Sequence, residues 1–286
     1  MDQAQTTMNG SRVRIPRVLH YMFLTPPGIP PPTNVSNAYH FWLSSCARVN
    51  PGWQVLLWDR DDCTQLATAH FPDYARWFSR NLSKLGVIRQ ADFCRLMVLS
   101  RFGGVYVDFD VLCLRPLDQL LPLPLFAADE PAEHKLMWGR RVSNIFPCNA
   151  IMGSQPHHPF WRLVMRAFRD RCVSWERRHQ GHPAGSTAPI MTGPHMLATV
   201  WRKYQASRKA RQLERELPPQ AVLPPTSSFY PVAASVERGR AFDAPRTYPN
   251  GTLAAHQWGS FYTSGHVHEL GRRPLPAFVE KPALGG

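Results

Sequence analysis

Nowhere among the 286 residues is there an apolar run approaching the roughly 18 residues that a membrane-spanning helix needs. Residues 1–11 are polar and lack the apolar core of a signal peptide, so the chain reads as soluble and cytoplasmic. A secretory-lumen location requires a targeting route not visible in these residues. Cysteine is scarce and dispersed. Its six positions, Cys46, Cys63, Cys94, Cys113, Cys148 and Cys172, form no C-x-x-C pair and no His/Cys cluster, which argues against a zinc framework. Cys94 and Cys113 lie in apolar runs, where a reduced, buried thiol is the default. Internal repeats are also lacking. Acidic residues are few, 20 against 33 Lys and Arg, and the resulting net charge of +13 suits a polyanionic partner such as nucleic acid, an acidic glycan or an anionic membrane surface. The densest basic cluster is Arg202, Lys203, Arg208, Lys209, Arg211 and Arg215. It falls at helical positions with Glu214 and Glu216 and has no zinc-finger or aromatic RNA-binding signature, so a solvated helix face is expected rather than nucleic-acid binding.

What is present points to one large α/β domain over residues 13–270, between a flexible N-terminus at 1–12 and a flexible tail at 271–286. Apolar residues make up 44% of the chain, enough for a sizeable core. A strand over 13–23 ends in a proline-rich loop, because proline removes backbone donors. A helix over 37–49 stops at Asn50-Pro51-Gly52, a strand follows over 53–58, and Asp59 to Asp62 supply helix-capping acids. Strand, helix, strand is the start of a doubly wound sheet. The apolar spacing over 84–101 predicts a helix, Gly103-Gly104 ends it, and 105–114 is strand-like. Shorter strands are expected at 125–128 and 150–152, and helices at 160–171 and 196–216, before an irregular C-terminal part. Asn9, Asn34, Asn81 and Asn250 each head a glycosylation sequon. Trp42, Trp53, Trp58 and Trp77 read as core, His20 as a hydrogen-bonded core residue, and His157-His158 as a loop at a helix entrance.

The chemistry concentrates in Gly103-Gly104-Val105-Tyr106-Val107-Asp108-Phe109-Asp110. In a strand, Asp108 and Asp110 project to one side and Phe109 to the other. Two carboxylates interrupting an apolar strand repel each other and lose hydration unless a cation joins them, and an all-oxygen site of this kind suits Mn²⁺ or Mg²⁺. Ligands of open α/β sheets bind at the carboxyl ends of strands, where this Asp-x-Asp falls. Upstream, Arg89, Asp92 and Arg95 recur every three residues on one helix flank. That spacing fits a local salt-bridge ladder, or a sugar- and phosphate-contacting pair of Asp92 and Arg95.

These residues, with Ile15-Pro16-Arg17 to Phe23, Asn50-Pro51-Gly52-Trp53, Asn149-Ala150-Ile151-Met152, Thr192-Gly193-Pro194 and His256-Gln257-Trp258-Gly259-Ser260-Phe261, follow one another in an order that resembles glycosyltransferase family 32, the Asp-x-Asp sugar transferases. The resemblance implies a GT-A fold, a doubly wound mixed sheet with flanking helices. It also implies a retaining, Mn²⁺- or Mg²⁺-dependent transfer of a hexosyl group from a nucleotide sugar, a UDP-sugar or GDP-mannose, to a glycan, lipid or protein acceptor. It carries metal binding onto Asp108, Asp110 and His256, and catalytic roles onto Asp108, Asp110, Asp92 and Arg95. Donor binding is carried onto Phe23, Asp92, Arg95, Gly104, Tyr106, Asp108, Asn149 and Ser260. Phe23 and Phe261 stand where the family usually has tryptophan. The competing expectation is a catalytically inactive module of the same fold that binds glycans or polyanions through its basic surface.

Overall fold

Alternation of strand-forming apolar runs with amphipathic segments yields a mixed sheet covered on both faces. The protein is described from a computed structural model over residues 15–26, 28–29, 33–81, 84, 86–141, 144–178, 192–211, 220–233, 245–258 and 272–274. The central sheet is built from β1 (Val18–Met22), β3 (Gln54–Trp58), β4 (Gly104–Val107), β6 (Leu125–Asp129) and β7 (Pro147–Ser154), in the order β3-β1-β4-β7-β6. β1 runs parallel to β3 and β4, whereas β7 is antiparallel to both β4 and β6. The start of β7 and the end of β6 are therefore delivered to the same edge as the end of β4. Two small sheets pair β2 (Asn34–Ser36) with β9 (Arg272–Pro274) and β5 (Val111–Cys113) with β8 (Ala254–His256).

Side-chain alternation divides the core in two. Met22, Trp58, Tyr106, Ala127 and Met152 face one layer, and Leu19, Tyr21, Val105, Val107, Phe126 and Ile151 face the other. The first layer is closed by α2 (Arg60–His70), α3 (Pro72–Arg80), α4 (Val87–Phe102), α6 (Pro159–Arg178) and α7 (Pro194–Arg211), and the second by α1 (Asn37–Val49). A short α5 (Ala132–Met137) follows β6. Ser36 caps α1 and a reciprocal Asp59/Asp62 box caps α2, as the acids at 59–62 foretell. The expected core tryptophans Trp42, Trp53 and Trp58 are buried, Trp77 packs against the first layer, and His157 lies in the loop that enters α6.

Three expectations are corrected. The run 105–114 is not one strand: β4 stops at Val107, a turn holds Phe109 and Asp110, and Val111 resumes in a different sheet against His256. The aromatic pocket formed by Tyr21, Phe23 and Tyr39 takes in the Phe109 ring, which pulls the chain out of the central sheet at that point. The cysteines expected as reduced thiols are paired, Cys46 with Cys113 and Cys63 with Cys94, leaving Cys148 and Cys172 free and buried. Partners 31 and 67 residues apart escape any reading by local spacing. Finally, α3 and α5 arise from segments to which no helix was assigned.

Gly103 and Gly104 make the junction between α4 and β4 possible. Both have left-handed φ, +66° and +83°, and a Cβ would sit 2.6 Å from the Ser154 carbonyl oxygen or 2.7 Å from that of Val18. His20 seals this joint as a core residue: its Nδ1 accepts from Trp58 Nε1–H at 3.1 Å, so its Nε2–H donates to the Gly103 carbonyl at 2.8 Å.

Candidate active site

α4 is buried almost throughout, from Arg89 to Ser100, and a helix wrapped in core normally carries no charge. Arg89, Asp92 and Arg95 are exceptions that need partners. Arg95 bridges to Asp92 at 3.1 Å and to Asp108 at 3.3 Å, and donates to the Asn149 carbonyl at 2.8 Å. Its guanidinium also covers the Tyr106 ring, 4.4 Å from the centroid. Asp92 accepts from Asn149 Nδ2 at 3.0 Å and from Thr192 Oγ1 at 2.7 Å. The three-residue spacing of Asp92 and Arg95 therefore becomes a buried tie between α4, β7 and the start of α7, rather than a surface ladder.

The two aspartates meet this network at the carboxyl end of β4. Asp108 accepts from the Tyr106 hydroxyl as well as from Arg95, and its side chain remains 27% exposed. Asp110 is deeper and faces His256, whose Nε2 lies 3.1 Å from the Asp110 carboxylate. Gln257 N–H donates to the Asp110 carbonyl at 2.7 Å, fixing the C-terminal strand to the acidic turn. One ligand atom each from Asp108, Asp110 and His256 lies within 4.8 Å of the others. The Asp108 carboxyl is raised above the usual range by burial, against the pull of Arg95, and the neighbouring Asp110 adds to the rise. Asp92 is likewise raised by burial, with Arg95 and Thr192 opposing it. Burial pulls the His256 imidazole down, but Asp110, Asp108 and Glu130 outweigh it and lift it above its ordinary value.

Such excess negative charge, gathered around converging carboxylate and imidazole ligands, fits a divalent cation of the Mn²⁺ or Mg²⁺ type. Among the described residues His256 Nδ1 is buried without a hydrogen-bond partner, whereas Nε2 faces the Asp110 carboxylate. Behind it, Trp258 wedges between the His256 and His134 rings, 4.1 and 4.3 Å between centroids, and anchors its Nε1–H on the Val232 carbonyl. His134 in turn pairs with Glu130 at 2.8 Å.

Asp92, Arg95, Tyr106, Asp108, Asp110, Asn149 and His256 thus converge on one sheet edge. Phe23 reaches the same edge, but its ring is buried and packs edge-on to Phe109 at 5.5 Å, leaving little face for a nucleobase in this conformation. Gly104 does not join them. It begins the strand that Asp108 follows, about 13 Å away along the chain, and its free face is closed by His20 and Val18. What the structure shows of Gly104 is a backbone role at the joint between α4 and β4. Ser260 and Phe261 lie outside the described residues. Thr192, Trp258, Glu130 and His134 were assigned no role from the sequence, although the Thr192-Gly193-Pro194 motif and the i,i+4 spacing of Glu130 and His134 were available signals.

Comparison with known proteins agrees with this geometry. Residues 34–127 match the glycosyltransferase sugar-binding region containing DXD motif. Inositol phosphoceramide mannosyltransferase 2 of Schizosaccharomyces pombe is 26% identical over 191 residues, 67% of this chain and 47% of that protein. A mannosyl phosphorylinositol ceramide synthase of Saccharomyces cerevisiae is 26% identical over 68% of this chain and 44% of its own length. Lactosylceramide 4-alpha-galactosyltransferase of Pongo pygmaeus is 27% identical over 59% of this chain and 66% of its own. The chain spans about half the length of the first two. Among solved structures, the ligand-free glycosyltransferase domain of the YGT toxin superposes with a TM-score of 0.50 at 10% identity, covering 74% of this chain and 80% of that one, which is a likeness of fold alone. Residues 34–127 thus match a DXD-motif sugar-binding region, and the chain is similar in sequence to glycosyltransferases and in fold to a GT-A glycosyltransferase domain.

Proposed function

We propose that this chain transfers a hexosyl group from a nucleotide sugar, GDP-mannose or a UDP-sugar, to a hydroxyl of a lipid or glycan acceptor, with retention of anomeric configuration. The observation that carries this reading is the convergence of Asp108, Asp110 and His256 beside the buried Asp92–Arg95 pair. Asp108, Asp110 and His256 would hold Mn²⁺ or Mg²⁺, which when bound supplies positive charge to the donor diphosphate as it departs. Arg95 orients Asp92 and Asp108 and adds a fixed positive charge beside the diphosphate. Asp92, held by three donors, has acceptor capacity left for sugar hydroxyls. In the reaction the bond from the anomeric carbon to the diphosphate oxygen breaks, with the electron pair leaving on the diphosphate. The acceptor oxygen bonds to the same face, and its proton passes to the departing phosphate. Acceptors bearing ceramide, as the names of the yeast and ape relatives print, support a lipid acceptor.

The two disulfides support work in an oxidising compartment rather than the cytoplasm, since such pairs persist where thiols are not kept reduced. Asn34 and Asn250, both exposed sequon residues, are compatible with that location.

A screen of GDP-mannose and UDP-hexoses with Mn²⁺, reading donor hydrolysis and transfer, tests the reaction. Asp110→Ala is expected to lower metal-dependent turnover at least about 10²-fold while leaving the circular dichroism spectrum intact. Full turnover in that variant sinks the proposal.

A further inference from the structure

Beyond the acidic turn, a shallow, open surface recess lies between the segment after α5 and the first turns of α7. Arg140, His195 and Arg202 line it together with Ile145. Arg140 Nη2 faces His195 Nδ1 at 3.3 Å. A guanidinium only donates, so Nδ1 accepts and the imidazole proton sits on Nε2. Both that Nε2–H and the Arg140 Nε–H are buried with no hydrogen-bond partner among the described residues. Burial first, then Arg140 and Arg171, lower the His195 pKa, which keeps the ring neutral in this tautomer. Two orphaned donors beside two guanidinium groups are costly unless an anionic acceptor meets them. Asp129 and Glu130, at the end of β6, are engaged elsewhere, Asp129 with Lys135 and with the Phe146 N–H, and Glu130 with His134.

Ile145, which lines the recess, is 41% exposed, and Leu136 and Met137, at the end of α5 and three to four residues before Arg140 in the chain, are 60% and 71% exposed. Apolar side chains left in water beside a cationic recess match an amphiphile whose head is a phosphate ester and whose neighbouring part is hydrocarbon. The recess also adjoins the donor site. Thr192, which holds Asp92, is three residues before His195, and the Glu130 N–H donates to the carbonyl of Phe146, which lines the recess.

We propose that Arg140, His195 and Arg202 bind the phosphate of a phospholipid acceptor, with Leu136, Met137 and Ile145 against its apolar part. The term acceptor rests on the hexosyl-transfer reading; the phosphate-lipid site does not. A soluble phosphate ester shares the head chemistry, but the exposed apolar side chains favour the lipid.

The test uses the full chain and flotation with phosphatidylcholine vesicles, with or without phosphatidylglycerol, alongside titration with glycerol 3-phosphate. Arg140→Gln and Arg202→Gln are each expected to weaken binding to the anionic vesicles roughly tenfold. Arg162→Gln, which removes the same charge from an exposed site on α6, is expected to leave binding near wild type. Leu136→Ser with Met137→Ser is expected to reduce vesicle binding but not glycerol 3-phosphate binding. Equal losses in all three arginine variants would reduce the effect to general surface charge and overturn the site. Glycerol 3-phosphate binding that is unaffected by Arg140→Gln overturns it too, and vesicle binding that survives the double serine variant assigns the recess to soluble phosphate esters instead. Donor hydrolysis with Mn²⁺, measured on the same samples, is expected to be unchanged in every variant. Its absence in the wild type would sink the transfer reading while leaving the vesicle result to judge the recess.

Discussion

Arg95 places one guanidinium on Asp92, Asp108 and the Asn149 carbonyl, so it fixes the distance between the two acids. Lysine cannot reproduce that planar fork. Arg95→Lys is expected to lower kcat/KM by about 10²-fold with a smaller change in melting temperature, and an unchanged kcat/KM would remove Arg95 from the site. His20 carries a second prediction, about pH. Its folded pKa is pulled down to about 4 by burial, from an ordinary 6.5. Above pH 6.5 neither the folded nor the unfolded chain protonates it, so its contribution is constant. As pH falls from 6.5 towards 4 the unfolded chain takes up a proton that the folded one refuses, and stability drops, by about 3 kcal/mol across the window. Urea unfolding of wild type and His20→Phe at stepped pH checks this, because the variant should lose that part of the slope while being less stable overall. At this scale the sequence was informative where chemistry depends on residue type. Asp108, Asp110, Asp92 and Arg95 stand out in the sequence by residue type, whereas Thr192, which donates to Asp92, and the Asn149 carbonyl, which accepts from Arg95, come from 100 and 54 residues away.

At the scale of elements, α4 is the piece on which the site depends, and two constraints set its position. The Gly103-Gly104 joint turns it directly into β4, and the Cys63–Cys94 disulfide ties it to α2 one residue from Arg95. Closing a loop between cysteines 31 residues apart stabilises the fold by about 3 to 4 kcal/mol in the chain-entropy account. The Cys63→Ala, Cys94→Ala double variant is expected to show an unfolding free energy lower by that amount and a weaker donor affinity. Retained stability together with free thiols in the wild type, counted by alkylation and mass spectrometry, would reject the pairing. Helix and strand order was legible because apolar periodicity and capping acids are local. The break of 105–114 into two strands was not, because the pull on Phe109 comes from Tyr21, Phe23 and Tyr39 in other elements.

Across the whole molecule, the proposed cation site joins the middle of the chain to its C-terminal part, since Asp110 and His256 are 146 residues apart. A cation that binds only where both are assembled stabilises the folded state in proportion to its occupancy, by about 2.7 kcal/mol at a hundredfold excess over its dissociation constant. Mn²⁺ is therefore expected to raise the melting temperature of the wild type, with EDTA reversing the gain, and to leave His256→Ala nearly unmoved. A similar rise in both proteins would place the metal elsewhere. The charge of +13 gave no address for a partner, because it is spread over the chain; the cationic recess gathers residues from after α5 and from α7 that no sequence window holds together.

The sequence by itself determined the alternation of elements, the acidic turn and the acid–arginine pair, since these depend on side-chain type and on spacing within a few residues. The fold in three dimensions settles which cysteines are joined, that the run 105–114 divides between two sheets, and that Gly104 packs against His20 and Val18. Those outcomes depend on where distant segments cross, which is settled by packing of the two core layers rather than by any local preference.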